Sequence, residues 1–157
     1  MAEELPLTIV PLDEKTLPVW TAMRRDFWDD DDETIRADFA RYQKRHPAGE
    51  SYSFFARDAG GEYLGFVDAE LRRDYVEGAT DSPYKPVWHL EGIYVVPGKR
   101  GGGVGAFMLA HLEGFVRARG GAELASDCEL DNTASEAFHK AEGFREAQRN
   151  IHFIKRL

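Results

Sequence analysis

The chain reads as one mixed α/β domain, and three observations carry that reading. Apolar residues alternate with a period of two in some segments and recur three and four apart in others. The two kinds of segment interleave along the chain rather than separating into halves. A strand-like run, Ile93-Tyr94-Val95-Val96, passes through glycines directly into a strongly periodic helix. With 157 residues and 17.8 kDa the chain suits a single unit over 1–157. At that size folding buries roughly two thirds of the unfolded surface, and no repeat or low-complexity linker offers a boundary.

In chain order, Leu7-Thr8-Ile9-Val10 is a β-branched first strand stopped by Pro11. Asp13 or Thr16 caps a helix whose Leu17, Trp20, Met23 and Phe27 share one face. Beyond the acidic run Asp29 to Glu33, a second helix presents Ile35, Phe39 and Tyr42, and His46-Pro47-Ala48-Gly49 breaks it. Ser51 to Arg57 is a strand. Asp58-Ala59-Gly60-Gly61 turns it into another, from Tyr63 to Arg72. Gly78 to Pro86 is a loop, and Val87 to Val96 is a strand ended by Pro97-Gly98. The helix after the glycines lines up Val104, Phe107, Met108, His111, Leu112 and Phe115, and Gly120-Gly121 closes it. A short strand from Glu123 to Ser126 follows. Thr133-x-x-Glu136, with capping-box spacing, opens a helix with Ala134, Ala137, Phe138 and Ala141 on its apolar face. The tail from Phe144 to Ile154 reads as a final pair of strands.

Acidic residues number 28 against 20 basic, a formal charge of −8. That balance argues against a nucleic-acid partner, which needs a basic footprint, and favours cationic ones within the screening distance of about 8 Å. Cys128 is the only cysteine, so neither an intrachain disulfide nor a cysteine-based zinc site can form, and no metal is implied. Met1-Ala2-Glu3-Glu4 opens without the basic and apolar regions of a secretory signal. No apolar run approaches the ~20 residues of a membrane span. The expectation is a soluble cytoplasmic protein with no membrane partner.

The segment Pro97-Gly98-Lys99-Arg100-Gly101-Gly102-Gly103-Val104-Gly105 is the most informative. A helix N-terminus has unpaired N–H groups and the positive end of the macrodipole, and glycines let an anion approach the backbone. Arg100 adds a positive charge at the mouth. The plain alternative is a glycine-rich connection that holds no ligand. A triphosphate loop would need Gly-Lys-Ser/Thr, which is absent. Gly101-x-Gly103-x-x-Ala106 fits the loose dinucleotide pattern, with Glu123 near the expected distance. Too little chain follows, however, to complete the parallel sheet that such a pattern opens.

Arg100-x-x-Gly103-x-Gly105 after a strand resembles the pyrophosphate signature of the GNAT superfamily of acyl-CoA N-acyltransferases, and the element order resembles that fold along the whole chain. The resemblance implies a mixed sheet with helices on both faces and acetyl-CoA as cosubstrate. By the same resemblance, the backbone of Ile93, Tyr94 and Val95 holds the pantetheine arm. Arg100, Gly101, Gly102, Gly103, Val104, Gly105 and Ala106 hold the pyrophosphate, and Asn132 also meets the cofactor. Leu71-Arg72-Arg73-Asp74-Tyr75-Val76-x-Gly78, Asp81-Ser82-Pro83, Leu90-Glu91-Gly92-Ile93-Tyr94-Val95 and Ala125-Ser126-Asp127 are similar to aminoglycoside 6'-N-acetyltransferases. That family carries a Trp lining the antibiotic pocket where Phe27-Trp28 stands here. Related enzymes are commonly homodimers, which implies a homodimer.

Acyl transfer to an amine requires that an ammonium lose a proton and that a carbonyl oxygen be stabilised as charge develops on it. A carboxylate serves the first need. Backbone N–H groups at an irregular point in a strand serve the second, and Gly92 beside Ile93 suits such a bulge. In a regularly alternating strand Glu91 shares a face with His89 and Ile93. Asp127 ends the next strand, where functional groups gather in open α/β sheets. The resemblance places both carboxylates at the aminoglycoside and favours Asp127 as the acid/base residue. Sequence alone leaves open which of them takes the proton. Many GNAT enzymes carry a Tyr acid where this chain has His139, so His139 is either a substitute acid or a plain helix histidine. Taken alone, Trp28 and Tyr75 read as core packing; the resemblance makes their amphipathic rings surfaces for sugars. Asp31, central in the acidic run, attracts a polycation or simply faces water. Gln148 stands where the family reaches substrate with an acid.

These expectations converge on acetyl transfer from acetyl-CoA to the 6'-amine of aminoglycosides by direct attack in a ternary complex. The rivals are an enzyme of the same superfamily acting on another amine, such as a polyamine or protein N-terminus, and a non-catalytic acyl-CoA or drug-binding protein.

Overall fold

A computed structural model describes residues 6–80 and 86–157 of the chain. Met1 to Glu4, Asp81-Ser82-Pro83 and the middle of the loop from Gly78 to Pro86 lie outside the described residues. One sheet runs β1 (Thr8–Pro11), β2 (Ser51–Arg57), β3 (Tyr63–Arg72), β4 (Val87–Val95) and β5 (Leu124–Ser126), in spatial order β1-β2-β3-β4-β5. The first four strands are antiparallel neighbours, and β5 lies parallel to β4. Pro11 belongs to β1 as its last residue, tolerable because β1 is an edge strand.

Helices cover both faces. On one, α3 (Val104–Ala118) presses Val104, Met108, Leu109, Leu112 and Val116 against Phe54, Val67, Ala69, Trp88 and Leu90. Its stripe follows the predicted spacing. On the other, α1 (Leu17–Trp28) and α2 (Asp32–Arg45) bury Trp20, Met23, Ile35, Phe39 and Tyr42 over Phe55, Phe66 and Tyr94. Full burial of each such side chain is worth about 1.5–3 kcal/mol, so the strands alternate because each face has its own core. The helix α4 (Thr133–Ala141) lies beyond β5, with Phe138 packed on the α3 side.

Three expectations need correction. Asn132, one residue before the expected Thr133, caps α4, its side chain accepting from the Ser135 N–H at 3.1 Å. With the cap at Asn132 the third helical residue is Ser135 rather than Glu136, so no capping box forms, and Glu136 pairs with Lys140 at 2.8 Å instead. The expected strands between Phe144 and Ile154 do not form: residues 144–157 have no ladder partner among the described residues. Arg149 reaches Glu136 and Asn150 reaches Glu77, after which the tail leaves the body, with Phe153 91% and Ile154 99% exposed. Alternation supplies side chains for two faces, but a strand also needs an edge to pair with. The third correction, at Glu91, shapes the site.

Candidate active site

The β3–β4 register runs from Arg72↔Val87 to Ala69↔Leu90 and resumes at Asp68↔Gly92, so Glu91 is an extra residue in β4. Alternation flips there. Glu91 and Gly92 both turn toward α1, whereas Ile93 and Val95 pack on the α3 side. Glu91 therefore does not share a face with Ile93, and the bulge is the reason. It does stay with His89, whose Nδ1 is 3.2 Å from its Oε1. Just past the same point β4 loses its neighbour: β5 pairs only with Trp88, His89 and Leu90. From Glu91 onward the outer backbone edge of β4 has no strand beside it among the described residues.

A pocket of about 170 Å³ opens beside the bulge, between α1, α2 and β3, and Trp28, Asp38, Asp68, Glu70 and Glu91 line it together with Arg24 and Arg41. Arg72 grips Glu91 in a two-pronged pair, Nε to Oε1 at 2.8 Å and Nη2 to Oε2 at 2.7 Å. Burial alone would raise the Glu91 pKa. The His89 ring and the Arg72 guanidinium outweigh it and hold the carboxyl at about 2. Asp68 is buried beneath the pocket, accepting from Trp20 Nε1 at 3.0 Å. Burial pushes it up to about 6 against the opposing pull of Ser53, Arg24 and Trp20. Arg24 lies over Trp20 and Trp28 and pairs with Asp30 and Asp38 at 2.7 and 2.6 Å. Asp127 follows β5 with its side chain 77% exposed, Oδ2 being 3.9 Å from His89 Nε2. The pocket thus sets the Trp28 indole beside carboxylates that Arg24, Arg41 and Arg72 already pair, a polar wall with one apolar face.

At the far end of β4 the glycine-rich turn delivers the chain to α3. Gly103 is its N-cap at φ 89°, and Gly101 is at φ 77°, left-handed values that a side chain would disfavour. No side chain caps the helix, so its first N–H groups face outward. Arg100 donates from Nε to the Val95 carbonyl at 2.8 Å, with its guanidinium 5.6 Å from the Tyr94 ring.

The sequence matches the model of the Acetyltransferase (GNAT) family over residues 20–144. The chain belongs to the GNAT acetyltransferase family. The aminoglycoside N(6')-acetyltransferase type 1 of Stenotrophomonas maltophilia is 37% identical over 134 residues, 85% of this chain and 83% of that one. Its counterpart from Acinetobacter genomosp. 13 is 32% identical over 151 residues, 96% and 99% of the two chains. The structure of AAC(6')-Iy in complex with the bisubstrate analog CoA-S-monomethyl-acetylneamine superposes with a TM-score of 0.84 at 35% identity, covering 97% of this chain and 99% of that one.

Among the residues singled out in this GNAT sequence, the fold gathers Trp28, Glu91 and Asp127 around the bulge, with the Ile93-Tyr94-Val95 backbone continuing from it. Tyr94 turns its ring to α1 and its hydroxyl donates to Asp26. Val104 is buried, while Gly105 and Ala106 continue the first turn of α3, with Gly105 against Phe138. Gly102 lies in the turn. Asn132 has its side-chain oxygen engaged as the α4 cap. Asp31 likewise caps α2, accepting from the Thr34 N–H at 2.7 Å, which lowers its pKa. Its neighbours Asp30 and Asp32 pair with Arg24 and Arg25, so much of the acidic run is internally matched. Tyr75 is exposed in the loop after β3, and Gln148 is in the tail, bonded to Asn150 at 2.8 Å. His139 has both nitrogens engaged, Nε2 with Ser126 Oγ at 2.7 Å and Nδ1 with the Ser135 carbonyl at 2.7 Å. It ties α4 to the end of β5.

Asp68, Arg72 and His89 were not singled out as site residues. Arg72 and Glu91 come together through a cross-strand register that spacing alone does not give. Charged or titratable residues at alternate places in otherwise apolar strands, Asp68-x-Glu70 and His89-x-Glu91, were the available signal.

Proposed function

We propose that this protein transfers the acetyl group of acetyl-CoA to the 6'-amine of aminoglycoside antibiotics, by direct attack in a ternary complex. The observation that carries the reading is the junction at Glu91, where a carboxylate-lined pocket with Trp28 on its wall meets the unpaired edge of β4. Relatives named as aminoglycoside N(6')-acetyltransferases, one of them bound to a CoA–aminoglycoside bisubstrate analog, support both halves of it.

The residues present fit acetyl-CoA. The open backbone edge at Ile93, Tyr94 and Val95 suits the amide-bearing pantetheine arm, as an added strand would pair there. The uncapped α3 N-terminus from Gly101 to Ala106, with Arg100 beside it, suits a pyrophosphate, and Asn132 has its amide nitrogen left for the cofactor. When bound, acetyl-CoA supplies the thioester whose acyl group is transferred. Glu91, held near pKa 2, is a permanent anion that anchors the substrate ammonium rather than a base that shuttles protons. Exposed Asp127 is the group that accepts the ammonium proton. Backbone N–H groups at the bulge face the developing oxyanion. Trp28 and Tyr75 stack on sugar rings, Gln148 touches substrate from the tail, and Asp31 adds long-range attraction only. His139, with both nitrogens occupied, keeps β5 and α4 in place.

No helix among the described residues is long and apolar enough to cross a membrane. We place the enzyme in the cytoplasm as one domain over residues 1–157. We also read it as a homodimer, because Ile151, Phe153, Ile154 and Leu157 stand exposed on a tail carrying Arg145, Arg149, Lys155 and Arg156 against Glu146 alone. The rest of the chain carries the whole acidic excess, so a second copy offers that basic, apolar arm a complementary surface. Acetyl-CoA-dependent thiol release with neomycin and paromomycin tests the reaction, since the first has an amine and the second a hydroxyl at the 6' position. Turnover with neomycin alone is expected. Equal turnover with both moves the reacting amine elsewhere.

A further inference from the structure

His89 stands between the two carboxylates of the site. Its side chain is 4% exposed, in the middle of β4, with Nδ1 3.2 Å from Glu91 Oε1 and Nε2 3.9 Å from Asp127 Oδ2. Nδ1 lies off hydrogen-bond alignment as placed, and a small turn of either side chain brings this buried N–H onto the Glu91 carboxylate it already faces. Leaving such a group unsatisfied is costly, and an apolar ring would fill the same place without that cost. Around the imidazole stand Glu91 on its own strand, Glu70 across the ladder, Arg72 on Glu91, and Asp127 beyond β5, with Arg41 and Arg45 of α2 behind Glu70.

We propose that His89 is a proton relay that acts through Asp127, with Glu91 holding the imidazole in the Nδ1–H tautomer so that the lone pair of Nε2 faces Asp127. This rests on the acetyltransferase reading above. The substrate ammonium gives one proton to the Asp127 carboxylate, becoming the free amine and leaving a carboxylic acid. That acid passes the proton to Nε2, restoring the carboxylate and forming an imidazolium opposite the Glu91 carboxylate, and the imidazolium later releases the proton to water. A small rotation of the exposed Asp127 side chain, or one bridging water, closes the 3.9 Å gap. A carboxylate that fixes a histidine tautomer while the other nitrogen handles the proton is an established division of labour.

The test compares His89→Phe and His89→Gln with the full-length protein. Neomycin turnover at pH 7 is expected to fall about 10-fold or more. The deficit should narrow toward pH 9, where solvent deprotonates the drug amine, with the KM for acetyl-CoA unchanged within about twofold. His89→Phe should melt no lower than the parent. A merely structural histidine gives the opposite pattern, lower melting with the parent pH profile, and that result overturns the relay. Nitrogen chemical shifts of the His89 ring give a readout that needs no turnover: Nδ1–H at neutral pH, with that preference weakened in Glu91→Ala. An Nε2–H ring in the parent protein sinks the proposal. A parent protein that leaves neomycin untouched refutes the acetyltransferase reading, while the tautomer still decides the arrangement of His89 and Glu91.

Discussion

The indole of Trp28 occupies the space that a side chain at Gly92 would need. A methyl built on Gly92 would overlap Trp28 carbons Cη2 and Cζ2, with Phe27 close behind. Residue 92 follows the extra residue of the bulge and faces Trp28 across the rim of the pocket, so bare backbone there is what lets the indole lie down on the site. Gly92→Ala should push Trp28 out and raise the aminoglycoside KM about 10-fold, the scale of a lost aromatic contact with its area. In the Trp28→Ala background the same change should add little, because neighbours that share one space are not additive. Steady-state kinetics of the double-mutant cycle checks this. Full additivity would show that the two residues do not share that space.

The separation of roles between β5 and the glycine-rich turn predicts two different kinetic signatures. Asp127→Asn removes the proposed proton acceptor and should lower kcat about 100-fold at saturating acetyl-CoA. Arg100→Ala removes one charge from the far end of β4. It should raise the KM for acetyl-CoA about 10-fold, as loss of one charge-assisted contact does, with kcat changed little. A larger kcat loss in Arg100→Ala than in Asp127→Asn would remove Asp127 from its assigned role.

Asp68 gives the stability a pH dependence of known sign. Its folded pKa is about 6 against an ordinary value of 3.8, so between those values the folded state retains a proton that the unfolded chain has lost. Stability from this group is complete below about pH 3.8, declines as pH rises to about 6, and stays lower above it. The difference is on the order of 3 kcal/mol. Asp68→Asn retains an oxygen for Trp20 Nε1 and removes the titration. Its melting temperature relative to the parent should rise between pH 4 and pH 6 and then level off. A constant offset across that range would show that Asp68 titrates normally.

Glu91 has the opposite sign. With a pKa lowered to about 2 from 4.5, its contribution is present above about pH 4.5 and is lost as pH falls toward 2. The gap in melting temperature between the parent and Glu91→Gln should therefore be widest near neutrality and close in acid. A gap that persists at pH 2 would break the assignment of the Arg72 pair as its source.

The exposed arm predicts a change of mass. A chain ended after Phe144 should elute as a monomer and still melt cooperatively, since the apolar residues removed contribute nothing to either core. The full chain should elute at twice its mass. A monomeric full chain at micromolar concentration would end the dimer reading.

Local pattern was enough for most of the fold. The limits of β2 and β3, the stripes on α1, α2 and α3, and the glycines before α3 follow from side-chain period and backbone freedom, which belong to neighbouring residues. The same kind of signal marks the Arg100 turn and a bulge near Gly92, whereas Trp28, Glu91 and Asp127 are drawn to one site by the family resemblance. What the sequence could not supply was register. Skipping one residue at Glu91 reverses every side chain beyond it. That one step sends Ile93 to the α3 core and Gly92 to Trp28, and Arg72 and His89 then converge on Glu91 from two different strands. The tail makes the same point from the other side. Ile151 to Ile154 have the alternation of a strand, but pairing depends on the chain reaching an edge, and they pair with none among the described residues. Sequence determined which segments were helices and strands because those preferences are local. Tertiary structure decided which carboxylate is locked as an anion and which stands free, because pairing and burial depend on residues far apart in the chain.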